Sequence, residues 1–251
     1  MSTGTPLVVV GDRFTDFHAQ PGVIAASALL EDLRGGRGTQ TLRVTVGQGL
    51  TAAQLDELDH FARSSGTLEI DGGQVPHPVE RSVTHKAHDK NVLIGPVDDH
   101  GGGHYRAPLV LDDRVEVLED HLTGLHIPAV TLLEAARQMW TAVTEQHLID
   151  PGPRTRFVID HVRSSFHSFV FPLPAHLEYT LARLEHGAVG QVAAFTVEVH
   201  QCGRLAARFE AQIRVVPELF ADKQERMAAR QALRDTTAGR PAPAAAGALG
   251  E

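Results

Sequence analysis

Asp120-His121-Leu122-Thr123-Gly124-Leu125-His126-Ile127-Pro128-Ala129-Val130-Thr131-Leu132-Leu133-Glu134-Ala135-Ala136-Arg137-Gln138 is the stretch from which the fold can be read. Pro128 fixes its own φ and has no N–H to lose, so it suits the first turn of a helix. From there Leu133, Ala136, Trp140 and Val143 fall on one face at helical spacing, and Leu132, Ala135, Met139 and Ala142 widen it. A helix apolar around so much of its girth is a buried helix. Asp150-Pro151-Gly152-Pro153 stops it, so the helix runs from Pro128 to about His147.

Everything downstream reads as antiparallel strand. Phe157 to Phe169, Leu177 to Leu184 and Val192 to Val199 carry β-branched or aromatic residues, and Pro172, Pro174 and Gly187 to Gly190 separate them. In the last strand Leu205, Ala207, Phe209, Ala211, Ile213 and Val215 alternate with Arg204, Ala206, Arg208, Glu210, Gln212 and Arg214, which means one packed face and one wet face. Upstream, Asn91 to Ile94 and Tyr105 to Val110 read as short strands flanking Asp98-Asp99-His100-Gly101-Gly102-Gly103. That loop is read as an exposed hairpin connection, with a metal-holding loop as the alternative. Short strands, one buried helix and four long strands require an antiparallel sheet curled around the helix. This is an α+β chain of the hotdog plan.

In front of it, residues 7 to 71 alternate strand and helix. The apolar run Leu7-Val8-Val9-Val10 ends at Gly11, a helical stretch covers Val23 to Leu33, and Thr41 to Val46 is the next strand. Gly47-Gln48-Gly49 makes a turn, lacking the third glycine and the lysine of a phosphate loop. Thr51-Ala52-Ala53-Gln54 has the form of a capping box opening a helix to Arg63, and Leu68 to Ile70 is a third strand. The expected organisation is a small α/β segment with parallel strands over 1–78, the hotdog domain over 82–217, and a C-terminal polar helix to about Leu233 followed by a disordered tail within 218–251.

The bulk properties exclude several classes. A net charge of -8 offers no positive field for phosphate backbones, so nucleic acid is not an expected partner. No apolar run is long enough for a membrane span and the first residues do not resemble a signal peptide, so no membrane partner and a cytoplasmic location are expected. Cys202 is the sole cysteine, which removes any internal disulfide or cysteine-based zinc site. No His-Glu or His-His pair recurs at i, i+4 with a third ligand in view. Neither a metal nor a cofactor is therefore expected.

The segment Asp120 to Gln138 resembles the A-factor biosynthesis hotdog family, whose repeat has the form DH, a short spacer, HVPGM, then LLEAARQ. Val83-Thr84-His85-Lys86 with Val92-Leu93-Ile94, and Phe166-His167-Ser168-Phe169-Val170, look similar to the same family. A more distant likeness is to the 3-hydroxyacyl carrier-protein dehydratases, which also place a histidine before the central helix and an acidic residue within it. The resemblance implies an enzyme of bacterial secondary metabolism acting on acyl thioesters of a carrier protein or coenzyme A. It would condense or dehydrate a 3-oxo- or 3-hydroxyacyl chain. It also implies substrate contacts from Ala129, Arg137, Gln138 and His167. The chain departs from the pattern in having one repeat, Leu125 where an acidic residue is common, and Ala129-Val130 in place of Gly-Met.

Glu134 lies two turns into the helix, on a side otherwise apolar, where desolvation would raise its pKa and keep a neutral acid. The alternative is an exposed stripe shared with Gln138, Thr141 and Glu145. His121 and His126 feed the helix N-terminus, whose unpaired N–H groups favour a developing oxyanion, and either imidazole would serve as base. Arg137 would hold a phosphate or simply form a salt bridge. The catalytic set is thus Glu134, His121 and His126. The departures keep two alternatives open, a non-catalytic binding module and a cyclase or isomerase on a polyketide-like substrate. An exposed sheet edge points to a homodimer.

Overall fold

The computed structural model describes residues 7–36, 41–64, 66–119, 124–149 and 154–238. Strands β1 (Leu7–Val10), β2 (Val23–Ala25), β3 (Leu42–Val46) and β4 (Leu68–Ile70) form a parallel sheet in the order β2-β1-β3-β4. Helices α1 (Ala26–Arg34) and α2 (Ala52–Ser64) connect them. Leu29, Leu30, Leu55 and Leu58 bury the helices against Val9, Val44 and Leu68. The capping box forms as read: Gln54 N–H donates to Thr51 Oγ1 at 3.2 Å, and Thr51 N–H donates to Gln54 Oε1 at 2.9 Å. One boundary differs, because Val23 to Ala25 is not helix. The β-branched pair Val23 and Ile24 extends the sheet edge beside Val8 and Val9, and helix begins only at Ala26.

The second sheet is antiparallel, in the order β5-β6-β8-β9-β10-β7. Its members are β5 (Asp98–Gly101), β6 (His104–Pro108), β7 (Thr155–Phe166), β8 (Ala175–Gly187), β9 (Gly190–Gln201) and β10 (Arg204–Pro217). The stretch read as a loop is mostly paired, with Asp98 opposite Arg106 and Asp99 opposite Tyr105. Gly101, Gly102 and Gly103, all at positive φ, make the turn. Asn91 to Ile94 is not a strand. It is a 3-10 turn over Asp89–Asn91 followed by a single bridge between Ile94 and Leu109. The reason lies in the helix behind it: the Gln138 side chain takes both the Leu93 N–H and the Asn91 carbonyl, which a strand partner would have used.

A short helix, α3 (Glu116–Glu119), precedes the central helix α4 (Ala129–Val143), which continues as a π turn over Thr144–Leu148. The sheet wraps α4, and Trp140 meets Phe195 of β9 at a ring separation of 5.5 Å. The alternation read in β10 holds from Ala207 to Val215, with Ala207, Phe209, Ala211, Ile213 and Val215 buried; ahead of it a register shift between Leu205 and Ala207 leaves Leu205 partly exposed and buries Ala206, the reverse of the reading. Helix α5 (Glu218–Ala238) lies outside both cores with no buried residue. It carries Thr236 and Thr237, so that part of the expected tail is helical, and the rest of the tail falls outside the described residues. No helix among the described residues is long and apolar enough to cross a membrane.

The two sheets meet along a seam at Gly47-Gln48-Gly49. Gln48 is buried, its amide donating to the Leu109 carbonyl and accepting from the Leu111 N–H, both at 2.9 Å. Gly49 N–H donates to Leu111 O at 2.7 Å and Gln48 N–H to Pro172 O at 3.1 Å. A Cβ on Gly47 would stand 2.3 Å from that Pro172 oxygen, so only glycine lets the backbones approach this closely. Val10, Phe14 and Phe17 of the N-terminal segment belong to the core that surrounds α4.

Candidate active site

The approach to α4 is held on both sides. Gly124, at φ 74°, accepts hydrogen bonds from the Asp16 and Phe17 N–H groups, each at 3.1 Å. Ile127 N–H donates to Val170 O at 2.7 Å, in a single antiparallel bridge. That bridge ties the turn before α4 to the chain leaving β7, bringing the rings of His126 and Phe169 to 4.9 Å. Pro128 occupies the cap position and no side chain caps the helix.

Between these two segments lies a slot of about 550 Å³. His126, Ile127, Ala129 and Leu132 line one wall; Phe166 to Phe171 line the other. The volume suits an organic ligand of moderate size, and the lining is mostly apolar with a few polar groups. Phe169 is 70% exposed and Phe166 is also exposed, so the slot opens to the surface beside the edge strand β7. Of the residues singled out in the sequence, His126, Ala129 and His167 meet here. His121 lies outside the described residues.

Glu134, Arg137 and Gln138 do not line the slot. They sit on another side of α4, against residues 84–93. Glu134 receives Arg137 Nε at 2.8 Å, Arg137 Nη2 at 3.0 Å, Gln138 Nε2 at 3.0 Å and the Lys86 ammonium. Arg137 also donates to Thr84 O at 3.1 Å, and Gln138 is fully buried. Burial alone would raise the Glu134 carboxyl. The hydrogen bonds from Arg137 and Lys86 outweigh it and hold the group below the usual carboxylate range. The expectation of a neutral acid is therefore corrected: the site is desolvated, but two cations stabilise the charged form. The exposed-stripe alternative is corrected as well, since Gln138 and Thr141 are buried. Arg137 and Gln138, expected to contact substrate, lie away from the slot and are hydrogen-bonded to Glu134 and to the backbone of residues 84–93.

Phe166, Ser168, Phe169, Phe171 and Leu132 are slot residues that reasoning from the sequence did not assign. For Phe166, Ser168 and Phe169 the signal was the run Phe166-His167-Ser168-Phe169-Val170, in which aromatic residues flank a histidine at the end of a strand.

A family model described as "A-factor biosynthesis hotdog domain" matches residues 70–217. Solved structures with a similar course of chain include a putative thioesterase, a phenylacetic acid degradation-related protein from Ralstonia eutropha JMP134. It is 16% identical, with 47% of this chain and 83% of that one covered, at a TM-score of 0.37. A conserved protein from Pseudomonas aeruginosa is 14% identical over 55% of this chain and 100% of that one, with a TM-score of 0.40. A thioesterase from Haemophilus influenzae is 13% identical over 65% and 90%, with a TM-score of 0.38. No curated protein matches. The family match spans more than half of the 251 residues and covers the wrapped helix, the sheet around it and the slot at its start, so the chain belongs to the A-factor biosynthesis hotdog domain family.

Proposed function

We propose that this protein acts on acyl thioesters in bacterial secondary metabolism, at the slot where α4 begins. The observation that carries the reading is the apolar slot of about 550 Å³ rimmed by His126 and His167 at the uncapped start of a buried helix. An acyl chain would lie against Phe166 and Phe169. The thioester carbonyl would turn to the first-turn N–H groups of α4, where the helix dipole favours an oxyanion. His126 would remove the α-proton of a 3-oxoacyl or 3-hydroxyacyl chain, opening condensation or dehydration. Glu134 has no direct part in this proposal. The acyl group would arrive on a carrier protein or coenzyme A.

A homodimer fits the same geometry. Strand β7 is an edge twelve residues long, with Val158, Ile159, Val162 and Phe166 exposed. An edge of that length and apolarity calls for a cover, and pairing with a second β7 supplies one beside the slot.

The test is incubation of the chain with 3-oxoacyl and 3-hydroxyacyl thioesters, with products read by mass spectrometry. Turnover is expected, reduced at least about 100-fold in His126→Ala. Wild-type rates in that variant would remove His126 from the chemistry. Sedimentation of the same sample at the single-chain mass of 27.1 kDa would remove the dimer. A second reading, a binding module without chemistry, is favoured by the ion pairs of Glu134, which hold the acid expected from the sequence charged and away from the slot. It expects thioester binding with no product from any substrate offered.

A further inference from the structure

The face of the large sheet turned away from α4 carries a cluster that the slot does not use. Leu177 and Tyr179 of β8, and Val197 and Val199 of β9, are buried in the core, so the residues alternating with them point to the opposite face. Two adjacent rungs there place His176 directly across from His200 and Glu178 directly across from Glu198. Two carboxylates facing each other across a ladder destabilise it unless a positive group offsets them.

The distances are those of a ligand set. His200 Nε2 lies 3.0 Å from Glu198 Oε2 and 3.7 Å from Glu178 Oε2, and His176 Nε2 lies 3.1 Å from Glu178 Oε1. Two donor atoms each bound to a tetrahedral zinc ion at about 2.0–2.1 Å stand roughly 3.3–3.4 Å apart, and the observed separations straddle that value. The donor atoms of Glu178, Glu198 and His200 all lie within 4.8 Å of one another, and His176 joins this group of three from the other side, through Glu178 Oε1. The two imidazoles stack at 5.4 Å with 11° between their planes, and both direct Nε2 at the carboxylate rung. Arg208 donates through Nε to Glu198 Oε1 at 2.8 Å, fixing that carboxylate while Oε2 faces His200.

We propose that His176, Glu178, Glu198 and His200 form a binding site for a divalent transition-metal ion of the zinc type. Two imidazoles with two carboxylates suit that class, whereas magnesium and calcium take oxygen ligands. Arg208 is the outer contact that orients one ligand. The sequence expectation of no metal rested on helical i, i+4 pairs. Here the pairs are His-x-Glu and Glu-x-His on neighbouring strands, where a spacing of two puts both members on one face and the register brings the pairs together. An ion at this place would pin β8 to β9, independently of whether the slot is catalytic.

The test titrates the full chain with zinc ion alone in a calorimeter, with magnesium ion as the comparison. One zinc per chain is expected, with a raised Tm and no response to magnesium. The His176→Ala/His200→Ala double variant should bind zinc at least about tenfold more weakly, the loss that even an outer-contact change brings. His104→Ala removes a histidine of the same face outside the cluster and should bind as the wild type does. With 15 histidines in the chain, equal zinc binding by the double variant would identify scattered surface association and overturn the site. So would the absence of zinc binding at submillimolar concentration. A measurement that needs no variant is the visible spectrum of the cobalt(II)-loaded wild type: the strong bands of tetrahedral coordination are expected, and the weak spectrum of the hydrated ion overturns the proposal.

Discussion

Two sides of the same helix have been put to opposite uses. Where α4 begins, Ala129 and Leu132 border an open, apolar slot, and the aromatic side chains around it are exposed. Farther along, Glu134, Arg137 and Gln138 face residues 84–93, and their polar atoms are engaged with partners there. The first side has room and no side-chain cap; the second has charge but no room. Titratable groups alone are therefore a poor guide to a reactive site. For an acyl substrate, a cavity beside such a group is the further requirement.

The largest effect that would test this contrast is on the ionic side. Gln138→Leu leaves the Leu93 N–H and the Asn91 carbonyl without their partner, and should cost about 2–4 kcal/mol in urea unfolding. A loss below about 0.5 kcal/mol would mean that the 84–93 segment is not held through this amide.

Glu134→Gln should cost less, about 1–2 kcal/mol, because the pairs it breaks are half-buried. The pH dependence carries a sign. A carboxyl held below its ordinary 4.5 adds stability that is complete above that value and is lost as the pH falls through the lower folded value. The variant should therefore lose stability less steeply than the wild type between about pH 5 and pH 3. Parallel curves would show that the ion pairs do not hold the group. Loss of turnover without loss of stability would reverse the contrast and return Glu134 to the chemistry.

The smallest effect on folding belongs to the slot. Phe169→Ala should shift stability by no more than about 0.5 kcal/mol, since the ring is largely exposed. Acyl-coenzyme A binding, measured by calorimetry, should weaken about tenfold, or roughly 1.4 kcal/mol. Destabilisation with unchanged binding would make Phe169 a packing residue.

Much of the fold was legible because its signals are local and periodic. The apolar girth of α4, the alternation of β10 and the Thr51/Gln54 box each depend on neighbours a few residues away. What failed depends on distant partners. Nothing in Asn91 to Ile94 reveals that a glutamine more than forty residues onward will take its backbone groups. Glu134 was expected to be neutral although Arg137 stands only three residues on; Lys86, far from it in sequence, adds a second cation, and the two together reverse the direction that burial alone would give. The slot was half legible: His126 and Ala129 abut a visible helix start, whereas Phe166 and Phe169 join them only through the bridge from Ile127 to Val170. The histidine-carboxylate pairs of β8 and β9 escaped a helical search because strands repeat every two residues.

The buried amide of Gln48 has a consequence for the order of synthesis. The parallel sheet leaves the ribosome first, and its central turn then carries an amide whose acceptor and donor, at Leu109 and Leu111, do not yet exist outside the tunnel. Until they emerge, Phe14 and Phe17 likewise lack the apolar neighbours they meet around α4. The nascent parallel-sheet segment is an unfilled socket, closed only when the chain that wraps the helix has been made.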